Sequence, residues 1–518
     1  MGKRQKIIFF GSAVLIIVAV LVANRVATIC LEHMLHVLPE PLKITYKHMD
    51  VNTFRGRVVV YGAEVVNKVE NSETARAKLY AEKLTVRNFG FWDYMLNGKM
   101  SIGKLELDRP KLIYYVSGEG DTDIQGVTQG NSIPPKISVD QFIVDNALVV
   151  IRDAITDSTL LETRGLKANF GNVIVDKTTM MRKRPLSYSG FDLSLDSLFF
   201  RLGPYENLKT ASVAINKDQA KVERLRIYTK YSKNELLKKI QVERDYFDLT
   251  VDALTLQSID FGYREDFTFF FKSPKTIFDK PVLKLYRNKL VPDDNTVKKL
   301  YGNMLRNLGF DLALNSVSLN NATIEYSEKV HLENPPGTIR FSNLHADISN
   351  LGNTYQVGEK TNLEIEAVFM KSTPIKANWY FDVNSANDNF VFKAEVGKLL
   401  AQDMNTFSGP NLKVLFEGEL IKTYFTIDGN AHRSNVELRT KYEDFKVDLL
   451  EKEGKRKNKL LSAMVNLVIK HNSDKTADGF REGFKKDIER DPTKSVFNFL
   501  WLNAKEGLLD AMTVVAKK

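Results

Sequence analysis

The chain has 518 residues, 43% hydrophobic and 27% charged, a globular composition that excludes a disordered polymer and leaves ample length for a core. Its net charge of +10 is concentrated at a few places: Lys3, Arg4, Lys6 and Arg25, then residues 451–459, then Lys517 and Lys518. The body is therefore nearly neutral and lacks the basic face of a nucleic-acid binder, while a single cysteine, Cys30, excludes an intrachain disulfide and a cysteine-built zinc site.

The first element is apolar. Residues 7–23, "IIFFGSAVLIIVAVLVA", carry no charge over 17 positions, and as a helix they reach about 26 Å, just short of a ~30 Å hydrocarbon core. Snorkelling of Lys6 and Arg25 closes the difference. The run is longer than the roughly 7–15 apolar residues of a cleaved signal peptide and no A-x-A site follows it, so residues 1–30 read as an uncleaved transmembrane anchor. Lys3, Arg4 and Lys6 precede the span, which places residues 31–518 on the non-cytoplasmic side. Arg25 is the expected membrane-interface residue at its outer end.

After "LPEPLK" the pattern changes to period two. "GRVVVYGAEVVN", "KLYAEKLTVRN" and "SIGKLELDRPKLIYYV" form an N-terminal β module over residues 31–116. Residues 117–136, "SGEGDTDIQGVTQGNSIPPK", are a linker by composition. Glu119, Asp121 and Asp123 alternate there without a full calcium loop, which reads as a solvated loop. A repeated β-sheet body over 137–450 opens with "ISVDQFIVDNALVVIRD" at 137–153, echoed by "LALNSVSLNNATIEYSE" at 312–328. Phe142 aligns with Val317, Val144 with Leu319, and Asp145-Asn146-Ala147 with Asn320-Asn321-Ala322; looser copies of the core start at Ile102, Leu195 and Val251. Such self-similarity argues for a fold built by adding units, with about twenty strands in all, mostly antiparallel by base rates.

Helical periodicity is rarer. It marks "DNTVKKLYGNMLRNLGF" at 294–310, a short "SKNELLKKI" at 232–240, and "DPTKSVFNFLWLNAKEGLLDAM" at 491–512 within a C-terminal region spanning 451–518. In the last, Asp491 and Pro492 signal the start, and Phe497, Leu500, Trp501, Ala504 and Leu508 fall along one stripe. Phe497, Leu500 and Trp501 are candidates for a membrane surface; capping the open end of the sheet suits the stripe equally.

Within the copies, Leu105 and Leu107, Phe142 and Val144, Leu198 and Phe200, Leu254 and Leu256, and Val317 and Leu319 share one face. Lys104, Glu106, Gln141, Ser197, Thr255, Ser316 and Ser318 largely take the other. Ten such side chains, at roughly 1.5–3 kcal/mol each on burial, do not simply lie open to water. Three helices are too few to cover the sheet, so the cover is a second layer of sheet or an apolar ligand. These ten residues are the candidate lining of a lipid groove.

The anchor, then "GRVVVYGAEVVN", then "AEKLTVRNFGFWDYMLNGKMSIGKLELDRPKLIYYV" resembles the opening of AsmA-like proteins of the bacterial envelope. The resemblance rests on a W-x-x-x-L-x-G-K link (Trp92, Leu96, Gly98, Lys99) and an L-x-L-x-x-P-x-L strand pair (Leu105, Leu107, Pro110, Leu112). The C-terminal part, from "LFEGELIKTYFTIDGNAHRSNVELRTKYEDFKVDLL" to "ERDPTKSVFNFLWLNAKEGLLDAM", is also similar. What the resemblance implies is a single-pass inner-membrane anchor with a cytoplasmic N-terminus. It further implies a mainly β periplasmic body, a long, twisted, mostly antiparallel sheet forming an elongated groove, and a role in outer-membrane lipid homeostasis or assembly. It brings no catalytic residue. About twenty strands at ~4.8 Å extend only about 100 Å, so bridging two membranes calls for further envelope proteins.

No G-x-S-x-G, P-loop or dinucleotide fingerprint is present, and the seven histidines are scattered. No enzyme activity, cofactor or metal is expected. The functional expectation is lipid handling along the apolar face, with membrane lipids as partners. The alternative is a membrane-tethered β scaffold that assists envelope protein assembly around a dry core.

Overall fold

The computed structural model describes residues 18–29, 31–32, 42–68, 75–91, 93–94, 99–116, 136–180, 186–451, 469–473 and 478–513. Residues 7–17 of the expected anchor, Trp92, Leu96 and Gly98 of the expected link, and nearly all of the expected linker lie outside this set. Residues 18–29 are helical, and among the described residues no helix is long and apolar enough to cross a membrane.

The chain is mainly β, 60% strand and 14% helical, with 26 strands in one mixed sheet. Sequence periodicity yields fewer because several strands, Glu206–Thr210 and Ser212–Asn216 among them, have only five residues and too few alternations to register. In order, the strands are β1 (Leu42–Thr45), β2 (His48–Asn52), β3 (Arg57–Lys68), β4 (Ala75–Phe89), β5 (Met100–Asp108), β6 (Lys111–Val116), β7 (Ile137–Asp153), β8 (Thr159–Val175), β9 (Gly190–Leu195), β10 (Ser197–Arg201), β11 (Glu206–Thr210), β12 (Ser212–Asn216) and β13 (Gln219–Thr229). There follow β14 (Tyr246–Gln257), β15 (Asp260–Tyr263), β16 (Phe269–Asp279), β17 (Val282–Asn288), β18 (Asp311–Lys329), β19 (Gly337–Gly352), β20 (Thr361–Phe369), β21 (Thr373–Phe381), β22 (Phe390–Val396), β23 (Leu399–Leu400), β24 (Val414–Gly429), β25 (Arg433–Leu449) and β26 (Arg481–Glu489). Helices α1 (Lys177–Met180), α2 (Lys233–Leu237), α3 (Tyr301–Arg306), α4 (Asn405–Leu412) and α5 (Val496–Met512) punctuate them. The chain divides into two compact units, one of Met1–Leu202 and Leu208–Val222, the other of Gly203–Asn207 and Glu223–Lys518.

The stretch at 137–153 that is echoed at 312–328 is a kinked strand. In the first unit β5 and β6 are one path broken at Arg109 (φ 46°) and Pro110, and both run parallel to β7. Arg109 N donates to Asp145 O at 2.9 Å and Leu148 N to Pro110 O at 2.9 Å, bracketing a bulge at Asn146 (φ 55°). The second unit repeats the device. Lys280 (φ 46°) and Pro281 break β16 from β17, Lys280 N donates to Asn320 O and Thr323 N to Pro281 O, both at 2.8 Å, and Asn321 takes φ 54°. Asparagine suits this left-handed position because its short polar side chain tolerates it. The structure thus corrects the looser copy at Ile102: Ile102 belongs to the strand paired beside β7 (Ile102 opposite Val139), and the true counterpart of "LELDRPKLIYY" is "TIFDKPVLKLY" at 276–286.

The parallel seam also corrects the expected helix at 294–310. From the end of β17, beside Lys329, the chain returns to Asp311 along the whole of β18, about 60 Å at 3.3 Å per residue. A 17-residue helix covers about 26 Å, and five extended residues before it add at most about 18 Å. The chain therefore stays non-helical until Leu300, passing a turn at 289–290 and bends at Val291 and Thr296, and only Tyr301–Arg306 coil into α3. Val297 and Met304, expected on the inner stripe, are 67% and 52% exposed. The short helix expected near 232–240 forms as α2, its capping box closed between Ser232 and Glu235.

Candidate functional site

Registration of the strands lines up their apolar residues. In the first unit one row runs Val51, Val58, Val86, Leu105, Phe142, Phe170, Phe191 across neighbouring strands, and a second runs Met49, Val60, Leu84, Leu107, Val144, Ala168, Leu193, Ile215. Beyond the kink lie Leu79, Leu112, Val149, Thr163, Leu198 and then Tyr114, Ile151, Leu161, Phe200. The bulge adds one residue, so the alternation changes phase and the apolar side chains stay on the same face. Packing bears this out, because Val60 and Ala63 join one cluster across the bend at Gly62, and Leu319, Ala322 and Ile324 join another across Asn321. The structure therefore brings Leu105, Leu107, Phe142, Val144, Leu198 and Phe200 together on one face.

The second unit does the same with longer rows. Leu254, Phe278, Leu319, Ala346, Ile365, Ala377, Ala394, Phe425, Leu438 form one; Leu256, Thr276, Val317, Ile348, Leu363, Trp379, Phe392, Ile427, Val436 form the next. Sequence reading found the four members on β14 and β18. It missed the rows on β20–β25, whose period-two runs were recognised as strands without being aligned to the repeat.

Coverage of these faces is uneven. Of the ten candidates, Val317 is buried at 2% exposure, Phe200 is 38% exposed and the other eight are partly buried. Only Leu319 belongs to a packed cluster, formed with neighbours of its own face. In the first unit the packed cluster sits on β2–β4, where Leu31 and Phe91 lie against Met49, Val58 and Val60. In the second unit α3 and α5 cover the rows on β21–β25, where Leu300, Trp379, Phe390, Ile427, Val436, Phe499 and Leu500 form the largest cluster. Across β7–β9 the aromatic ladder Phe142, Phe170, Phe191 stacks at 6.1 and 6.3 Å with the Tyr188 ring edge-on to Phe170 and Phe191 at 5.4 and 5.7 Å, and among the described residues it joins none of the packed clusters.

The terminal helix corrects the expected stripe. Leu500 is buried at 8% exposure in the core, whereas Phe497 and Trp501 point outward at 64% and 42%. The inward face is shifted by one position because Asn503 and Gly507 sit on it: Asn503 accepts from Ser434 Oγ at 2.8 Å, and the helix approaches so closely that a Cβ on Gly483 would meet Gly507 O at 2.1 Å. Polar and missing side chains in a helix interface escape a search for apolar periodicity. Arg25 is exposed on the 18–29 helix, beside exposed Leu21, Val22, Val26 and Ile29, while Asn24 Oδ1 accepts from Thr53 N and Oγ1 at 2.6 Å.

A charged row, unseen in the sequence, closes one end of the apolar face in the second unit. Arg287 makes two 2.7 Å bonds to Asp245, Lys289 meets the buried Glu243 at 2.5 Å, and Glu328 lies opposite Arg287. Burial pushes the Glu328 carboxyl above the usual carboxylate range and the Tyr326 hydroxyl above its own. A depression of about 470 Å³ in the first unit is instead polar, lined by Asp140, Gln141, Asn169, Asp192, Asn216 and Asp218. Among the described residues no three His, Cys, Asp or Glu side chains converge as a metal site would require. Comparison with family models, curated proteins and solved structures finds no match, so the family resemblance stands on the sequence motifs alone.

Proposed function

We propose that this chain is a membrane-anchored protein of the bacterial envelope that handles phospholipid along its apolar β face, holding acyl chains against the rows while headgroups stay at the polar rim. In this reading the bulk lies in the periplasm, the lipid serves outer-membrane homeostasis, and no reaction is catalysed. One observation carries it: apolar rows cross successive strands in register, yet on β5–β10 they join no packed cluster among the described residues. Buried apolar area is the main favourable term in folding, and a row this long left partly uncovered is suited to an apolar ligand.

A photo-crosslinking residue at Phe142 or Leu319 in cells tests the reading. Adducts with phospholipid are expected. Adducts only with the chain's own strands would remove the lipid reading and leave the tethered scaffold, a reading favoured by the protein cover on β21–β25.

A further inference from the structure

Resting on the membrane-anchored reading, we infer that the turn joining β2 to β3 is an interfacial finger that sets Phe54 into the headgroup layer of an anionic phospholipid bilayer. Four residues make the turn: Thr53, Phe54, Arg55 and Gly56. Phe54 is 84% exposed. A lone exposed apolar side chain is ordinary on a protein surface; this one is held on a rigid turn, at a defined place beside the 18–29 helix, among cations that nothing in the chain neutralises.

Hydrogen bonds fix the turn. Arg55 N donates to Asn52 Oδ1 at 3.0 Å, Gly56 N to Thr53 O at 3.3 Å, and Phe89 N to Gly56 O at 2.8 Å. Gly56 takes φ 56°, and a Cβ there would meet Phe89 N at 3.0 Å, so the position calls for glycine. The two bonds that Asn24 Oδ1 accepts, from Thr53 N and Oγ1 at 2.6 Å, set its depth. Asn24 is the first residue after the uncharged run 7–23. In the anchored reading that run crosses the hydrocarbon, which puts the tip within about one 5.4 Å helical turn of its boundary. The helix exposes Leu21, Val22, Val26 and Ile29, so exposed apolar side chains stand on both sides of the bond between Asn24 and Thr53.

Charge selects the occupant. Arg25, Arg55, Arg57 and Arg87 are all exposed, and among the described residues none of them makes an ion pair. Val58 pairs with Val86, which sets Arg57 beside Arg87, and Arg87 in turn pairs with Lys104. Like charges directly opposite one another in a sheet are unfavourable. Glu106, 3.3 Å from Lys104, offsets only that end of the row. An anionic lipid surface answers both features at once: the ring enters among the upper acyl chains, where aromatic side chains concentrate in membrane proteins, while the guanidinium groups reach phosphate.

The depth of position 54 tests the finger. Cys30→Ser removes the native thiol, and Phe54→Cys, Leu21→Cys and Ile155→Cys each receive an NBD label, which at 54 stands in for the ring. Ile155 is equally exposed but lies past the far end of β7. The full chain is reconstituted in phosphatidylcholine vesicles with or without phosphatidylglycerol, part of the phosphatidylcholine carrying a doxyl quencher. With phosphatidylglycerol present, the label at 54 is expected to shift to the blue and to be quenched severalfold, as is the label at 21, while the label at 155 keeps its aqueous spectrum. Arg55→Glu with Arg57→Glu returns position 54 to the aqueous spectrum. Quenching at 21 with an aqueous spectrum at 54 overturns the finger and leaves the anchor. A blue-shifted label at 54 that doxyl lipid does not quench means that a protein neighbour covers the tip, and also overturns the finger. Equal quenching at 54 with and without phosphatidylglycerol overturns the part given to anionic headgroups. Aqueous spectra at both 21 and 54 overturn the membrane-anchored reading and the finger with it.

Discussion

Leu254 and Leu438 stand in the same row of the second unit, eight strand positions apart, and differ in what lies above them. Leu438 is 2% exposed beneath α5, where a Cβ on Gly507 would meet its own Cβ at 3.0 Å, so the backbone above cannot collapse into a vacancy. Leu438→Ala therefore loses both the transfer and the cavity contribution, about 3–4 kcal/mol. Leu254 is flanked by Phe278 but belongs to no packed cluster. Leu254→Ala loses only part of the transfer contribution and leaves no enclosed hole, about 1–2 kcal/mol. Urea unfolding followed by tryptophan fluorescence, to which Trp379 and Trp501 report from this unit, measures both, with an unchanged m-value as the check that the unfolded ensemble is unaltered. Costs equal to within about 0.5 kcal/mol would mean that the row is roofed along its whole length, and the argument for an apolar ligand would fail.

Gly165 takes φ 63° and a Cβ there would lie 2.0 Å from Asp196 Oδ2. Gly165→Ala is expected to lower the thermal midpoint by the equivalent of more than about 1 kcal/mol, whereas Asn343→Gly, at φ 48° in the corresponding bulge of β19, changes it little. The ion pair between Lys494 and Asp293, 2.7 Å, with Lys289 nearby, holds the Asp293 carboxyl below the usual carboxylate range. Its folded value is the lower one, so its stabilisation is present above the unfolded value of about 3.9 and is lost as pH falls through the folded value. Lys494→Met should flatten the acid limb of stability measured from pH 6 to pH 2; an unchanged limb refutes the linkage. Glu328 has the opposite sign: burial raises its folded value, so a penalty develops as pH rises above about 4.3. Glu328→Gln should raise the urea midpoint at pH 7 and leave it unchanged below pH 4.

The period-two pattern made the β class readable, and the DNA and NNA triplets marked two equivalent strands, because a kink that needs a left-handed residue leaves an asparagine behind. Their meaning as bulges was not readable, since a bulge is defined by the partner strand. The failure at 294–310 has the same origin. Val297, Leu300, Tyr301 and Met304 have helical spacing, and nothing local opposes a helix; the veto comes from the distance between two ends fixed by β17 and β18. The one-position error on α5 reflects Asn503 and Gly507, whose burial depends on Ser434 and Gly483 across the interface. The ten candidates were found because alternation alone assigns a face. Which parts of that face are roofed depended on where two distant helices land.

Loops usually accept insertions and deletions because their ends are close and their contour is generous. The return from Asn288 to Asp311 is the reverse case: it works like a cord cut almost to measure, joining two fixed posts. Losing three or four residues from its non-helical part would straighten the turn at 289–290 and then force either α3 to melt or the parallel seam to part. This stretch should therefore be as intolerant of length change as a core strand, though most of it is irregular in structure.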